Sequence, residues 1–126
     1  MKAILDTSVL LATDLPPLAG ELAISTAALA ELHFGVLVTA DAAIRAERLR
    51  RLSELQRKFD ALPVDAVVAT SYGQLAAAMA ATGRQPRSRV MDLLIAATAH
   101  AHSARLYTRN AGDLAGIENV IEIVPV

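Results

Sequence analysis

Short apolar runs recur along this chain, and helical stretches separate them. Lys2 to Asp6, Leu22-Ala23-Ile24-Ser25, Leu62-Pro63-Val64, Leu106-Tyr107-Thr108 and Val120 to Val124 read as strands. Between them, residues 8–13 form a short helix stopped near Pro16-Pro17. Thr26 is the predicted N-cap of a helix from Ala27 to about Val38, and Asp41 of a helix over about 42–59. In the latter, Leu49, Leu52, Leu55 and Phe59 recur at spacings of three and four. Asp65 opens a helix that ends near Gly83, a good C-terminal stop. Arg84 to Arg89 reads as a polar loop, with Ser88 capping a helix to about Ser103. Short strands alternating with helices restrict the chain to an α/β domain with a mainly parallel sheet. Its 126 residues suffice for one domain with a real core.

Composition narrows the chemistry. Apolar residues make up 54% and aromatics only 3%, so Ala, Leu, Val and Ile must build the core. With no cysteine, disulfides, thiolate zinc sites and cysteine nucleophiles are excluded. No signal peptide is evident, and no stretch approaches the roughly 20 apolar residues of a membrane span. The expectation is a soluble, cytoplasmic protein. A net charge of −1 argues against a general nucleic-acid coat. Distribution matters more than the sum: Arg84, Arg87, Arg89, Arg105 and Arg109 have only Asp92 among them. A second basic group is interleaved with acids. Asp41 and Arg45, Glu47 and Arg51, and Glu54 and Lys58 are each four apart, the pattern of an exposed helix face.

Polar residues sit at the edges of apolar elements. Asp6 ends the first strand, Glu31 and Asp92 fall in the first turns of helices, and Asn110 and Asp113 follow a strand. Open parallel sheets gather functional groups outside the carboxyl ends of their strands, near a topological switch point. Singly, each acid has an ordinary reading. Asp6 is a helix cap, Glu31 and Asp92 suit the helix dipole, and Gly112-Asp113 is turn chemistry. As a set in so apolar a chain they point to one shared site. Two carboxylates about 5 Å apart repel by about 3 kcal/mol at an effective dielectric near 20. A divalent cation such as Mg²⁺ or Mn²⁺ offsets that repulsion, taking one or two carboxylates directly and keeping several waters. It also activates water and stabilises charge developing on a phosphoryl group.

Four stretches carry a resemblance. Ile4-Leu5-Asp6-Thr7-Ser8, Ala28-Leu29-Ala30-Glu31-Leu32, Asp92 to Ala99, and Tyr107-Thr108-Arg109-Asn110-Ala111-Gly112-Asp113-Leu114 look like the motifs of PIN-domain proteins. The match is nearest to VapC-type toxins of bacterial type II toxin–antitoxin pairs. It covers essentially the whole chain in the family's order. The resemblance implies a three-layer α/β/α sandwich and an Mg²⁺- or Mn²⁺-dependent endoribonuclease acting on structured RNA such as tRNA or rRNA. Asp6, Glu31 and Asp92 match the family's recurrent metal-site acids, and Asp113 or Asn110 completes the quartet. Ser8 and Thr108 match positions that support the acids or metal waters. A VapB-type antitoxin and homodimerisation are likewise implied. Two departures stand out: the Asp6–Glu31 interval is short, trimming the first helical region, and Leu114 stands where an aromatic is common.

The remaining polar residues are assigned by geometry. Arg84, Arg87 and Arg89 precede the Asp92 helix, and their planar forks suit an RNA backbone. Tyr72, Tyr107, Phe34 and Phe59 read as packing residues, leaving little for base stacking. His100 and His102 are two apart on a helix and form no clamp; with His33 they read as structural or surface residues. A haloacid-dehalogenase-type phosphatase would need Asp where Ser8 stands. A Rossmann domain or P-loop lacks its glycine-rich turn. The rival of another class is a catalytically silent PIN-fold module that binds RNA or a partner.

Overall fold

The computed structural model describes residues 1–126. Five strands, β1 (Lys2–Leu5), β2 (Glu21–Ser25), β3 (Asp60–Leu62), β4 (Arg105–Thr108) and β5 (Ile123–Pro125), form one sheet in the order β3-β2-β1-β4-β5. Every neighbouring pair is parallel, so the sheet is wholly rather than mainly parallel. The helices are α1 (Thr7–Leu10), α2 (Thr26–Leu37), α3 (Ala42–Lys58), α4 (Ala66–Ala81) and α5 (Val90–Ala101). From β1 the chain steps outward through β2 to β3, then returns past β1 to β4 and β5. Parallel crossovers are right-handed, so that reversal sends α4 and α5 to the face opposite the earlier helices, which gives three layers. The reversal also makes the gap between β1 and β4 the switch point of the sheet.

The core follows from the composition. Ala3, Ile4 and Leu5 of β1 and Leu93, Ile95, Ala96, Ala97 and Ala99 of α5 are all buried. Small alanines let α5 lie close against the strands, and Leu75 and Met79 of α4 close the outer side. Truncating a fully buried Leu such as Leu93 to Ala in a core of this kind costs about 2–5 kcal/mol. Tyr107 is the one buried aromatic, and its hydroxyl donates to Ala19 O at 2.8 Å. No helix is long and apolar enough to cross a membrane.

Several sequence boundaries shift, each for a local reason. The first helix is Thr7–Leu10, not 8–13, because Asp6 itself caps it. Ser25 rather than Thr26 caps α2, its hydroxyl accepting from Ala27 N at 3.1 Å, while Thr26 Oγ1 accepts from Val64 N. β3 ends at Leu62, ahead of Pro63, which has no N–H for a ladder. Ser88 does not cap α5; its hydroxyl turns back to Gln85 O, and Pro86–Arg89 is a 3-10 turn that runs into the helix. The last strand is Ile123–Pro125, later than Val120 to Val124, because Val120 and Ile121 N–H groups bond back to Ile117 O. Asp41 and Asp65 cap as expected.

On α3 the expected ion-pair ladder forms differently. Arg50 takes both Glu47 and Glu54, leaving Arg51 free to turn inward. Of the apolar stripe only Leu52 is fully buried; Leu49 is exposed. Phe34 is 67% exposed, so it is not the packing residue its type suggested.

Candidate functional site

The site is built where β1 stops. The Asp6 N–H still bonds Tyr107 O at 3.2 Å, as a last rung toward β4. Its side chain then caps α1, with Oδ1 accepting from Val9 N at 3.1 Å and from the Ser8 hydroxyl at 2.5 Å. A buried carboxylate must be compensated, and these donors do part of that. Ser8 Oγ in turn accepts from Arg109 N at 3.0 Å, which ties the loop after β4 to Asp6. Thr108 works one step away: its Oγ1 accepts from Asn110 N at 2.9 Å and shapes the same loop.

Glu31 enters from α2. It lies in the second turn rather than the first, so the helix dipole does not account for it. Its Oε1 accepts from Thr7 Oγ1 at 2.7 Å, a contact between neighbouring elements that the sequence reading missed. Asp92 is the third residue of α5, and Asp113 lies in a 3-10 turn, Ala111–Leu114.

The electrostatics join these four residues. Burial raises the Asp92 carboxyl above the ordinary aspartate range, and the charges of Glu31, Asp113 and Asp6 raise it further, against the opposing pull of Arg89. The contacts run the same way: Glu31 is tied to Thr7 beside Asp6, and Asp113 is tied to Arg89, three residues before Asp92. Of the two candidates for the fourth position, Asp113 is half-buried and pairs with Arg89. Asn110 is exposed and its side chain caps nothing.

The arginines divide. Arg89 Nη2 pairs with Asp113 Oδ1 at 3.2 Å, and Arg84 Nη1 donates to Gly112 O at 3.0 Å, so both brace the Asp113 turn. Arg87 is exposed and in no ion pair. Arg105 pairs with Glu122 and Arg109 with Asp14. His33 is exposed, His100 bonds Ser71 Oγ at 2.8 Å, and His102 ends α5, so no imidazole joins the acids.

The donor set is therefore carboxylate oxygens alone, the hard ligands that Mg²⁺ and Mn²⁺ take. No three of the acids form a ready-made cage. That fits a cation held by one or two carboxylates with water completing its shell. Beside Glu31 lies a cleft of about 240 Å³ whose walls include Leu11, Leu32, Val36, Leu52 and Leu55.

The sequence model of the PIN domain matches residues 3–117, which span all four acids. The chain belongs to the PIN-domain family. It is 35% identical to Ribonuclease VapC5 of Mycobacterium tuberculosis (strain ATCC 25618 / H37Rv) over 98% of this chain and 94% of that protein. It is 36% identical to Ribonuclease VapC8 of the same organism over 76% of this chain and 88% of that one. Among solved structures, a member of the VapBC family of toxin-antitoxin systems, VapBC-5 from Mycobacterium tuberculosis, superposes with a TM-score of 0.84. It is 32% identical, with 99% of this chain and 97% of that chain covered. VapBC-1 from nontypeable Haemophilus influenzae shares the PIN fold at a TM-score of 0.80 and 22% identity, over 99% and 98% of the two chains. Both the α/β architecture and the VapC resemblance expected from the sequence stand.

Proposed function

We propose that this chain, as a single domain over residues 1–126, is a metal-dependent endoribonuclease. It acts in the cytoplasm as the toxin of a toxin–antitoxin pair. The observation that carries the reading is the placement of Asp6 at the end of β1 with Glu31 tied to the same turn through Thr7, together with Asp92 in the first turn of α5 and Asp113 held by Arg89 just before it. Relatives named as ribonucleases support it. Asp6 and Asp92 would hold Mg²⁺ or Mn²⁺, with Glu31 and Asp113 holding its waters or a second ion. When bound, the cation supplies activated water and stabilises charge on the phosphodiester. The chain's own residues orient that chemistry. Ser8 and Thr7 fix one oxygen each of Asp6 and Glu31, and Arg89 holds Asp113.

The substrate class is structured RNA, tRNA or rRNA. Too few aromatics face solvent for a stacking platform. Arg87 is the arginine free to meet a phosphate, whereas Arg84 and Arg89 already brace the loop. Arg87→Ala is expected to weaken RNA binding and lower the magnitude of its log–log salt slope by about 1. An unchanged slope removes Arg87 from the RNA path.

The partner is a VapB-type antitoxin, a pairing found in the solved relatives. Leu11, Phe34, Leu37, Val38, Ile44 and Leu49 are large, apolar and exposed along α1, α2 and α3, beside the cleft at Glu31. An amphipathic antitoxin segment covers such a face by laying apolar anchors into it. Leu37→Asp is expected to raise the antitoxin Kd by ~10-fold or more and to leave free-toxin cleavage unchanged. Equal affinity for the variant places the antitoxin elsewhere. A homodimer is part of the proposal, with Ala77 and Ala80 on the uncharged outer face of α4 as its seat. A monomer alone in sedimentation at micromolar concentration rules it out.

The test of the whole reading is purified, antitoxin-free protein incubated with total cellular RNA in Mg²⁺, in Mn²⁺ and in EDTA. Discrete fragments that require the metal are expected. RNA binding with no cleavage in either metal would favour the silent binding module.

A further inference from the structure

We propose that Arg51 is a positioning residue for the acidic site, holding from α3 the far end of the short helix that presents Asp6, Thr7 and Ser8. Arg51 Nη2 donates to Leu10 O at 2.9 Å and to Ala12 O at 3.1 Å. The sequence places Arg51 on a solvated helix face, but here it is half-buried and bonded across 41 and 39 positions.

The helix it holds cannot hold itself. α1 has four residues, far below the length at which a helix persists on its own. Asp6 caps its front, Val9 and Leu10 anchor its inner side, and Arg51 satisfies two carbonyls at its back. All three polar groups α1 sends to the site sit on this one turn and its cap. Asp6 is the cap, Thr7 donates to Glu31, and Ser8 donates to Asp6 and accepts from Arg109 N. Loosening the back of the turn therefore moves two acids at once. Charge alone does not explain the contact, because the partners are neutral carbonyls rather than an acid.

The test compares Arg51→Met, which keeps an apolar stem and removes the donors, with Arg51→Lys and with Arg57→Met. Arg57 lies on the same helix and is exposed. Two readouts are taken on the full chain: hydrogen exchange of the amides from Val9 to Ala12, and the Mn²⁺ concentration giving half-maximal RNA cleavage. Arg51→Met is expected to speed exchange at those amides by ~10-fold or more. It is also expected to raise the half-saturating Mn²⁺ by roughly 10-fold, the low end of the range for lost support of metal ligands. Cleavage at saturating Mn²⁺ stays within about 2-fold of the parent, Arg51→Lys recovers part of both effects, and Arg57→Met shows neither. Exchange at Val9–Ala12 equal to the parent overturns the proposal. So does fast exchange with unchanged Mn²⁺ response. The exchange arm needs no enzymatic activity. If the parent neither binds Mn²⁺ nor cleaves RNA, the metal-nuclease reading fails, and exchange still decides whether Arg51 secures the helix.

Discussion

Asp6→Asn is expected to reduce metal-dependent RNA cleavage by at least ~10²-fold, equivalent to about 2.7 kcal/mol of transition-state stabilisation, with little loss of stability. The substitution is informative because of what it keeps. Asn is as good an N-cap as Asp, and its Oδ1 can still accept from Val9 N and Ser8 Oγ. The buried volume hardly changes, so α1 and the end of β1 stay in place. Only the charge leaves, and the charge is what a hard cation takes. Asp6→Ala would confuse the question, since losing the cap alone costs about 1 kcal/mol. Cleavage rates beside thermal melts of parent and variant check this. A variant that melts like the parent and cleaves within about 3-fold of it would remove Asp6 from the metal site. An EDTA-treated parent is expected to match the variant, and Mn²⁺ to restore the parent alone.

The sheet was legible because its strands are short, apolar and separated by helices, and such a pattern admits few alternatives. β1 and β4 were placed within a residue because nothing polar interrupts them. β3 and β5 were displaced because their ends depend on tertiary partners: Pro63 forbids continuation, and the turn after Ile117 consumes the N–H groups of Val120 and Ile121. Placement of the acids at element ends followed from the same pattern. Their convergence on one site was expected from the same pattern, but which strands flank that site depends on strand order, and strand order depends on crossovers that local sequence does not encode. Thr7 and Arg51 were missed for a related reason. Thr7 bonds a residue 24 positions on, and Arg51 had a plausible helical partner in Glu47 four residues back. Arg50 took that partner instead. Exposure of Phe34 was invisible too, because an aromatic in an apolar helix reads as core until the neighbouring helix is seen to leave it uncovered.

Asp92→Asn is expected to stabilise the metal-free protein while eliminating its metal response. The sign follows from the direction of the shift. Asp92 is raised in the fold, by burial first and by Glu31, Asp113 and Asp6 next, so the folded state holds its proton more tightly than the unfolded chain. Below the ordinary aspartate range the carboxyl is protonated in both states and costs nothing. As pH rises through that range, the unfolded chain releases the proton first, and stability falls until the folded carboxyl has also ionised. Above that point the full penalty remains. The parent is therefore expected to melt progressively lower than Asp92→Asn as pH climbs above the ordinary aspartate range, the two converging at acid pH. Each ~1 kcal/mol of repulsion released corresponds to about 4 °C in a domain of this size. Mg²⁺ or Mn²⁺ should reverse the order near neutrality. A cation favours the ionised carboxylate and stabilises the folded parent by mass action, whereas the amide offers it no charge. Melting curves of both proteins across pH, with and without metal, read this directly. Parallel curves at every pH would mean Asp92 does not bear the acids' repulsion. A variant raised equally by Mn²⁺ would mean the cation binds elsewhere. Burial and its acidic neighbours thus make Asp92 a load on the fold, and a bound cation is what would turn that load into stabilisation.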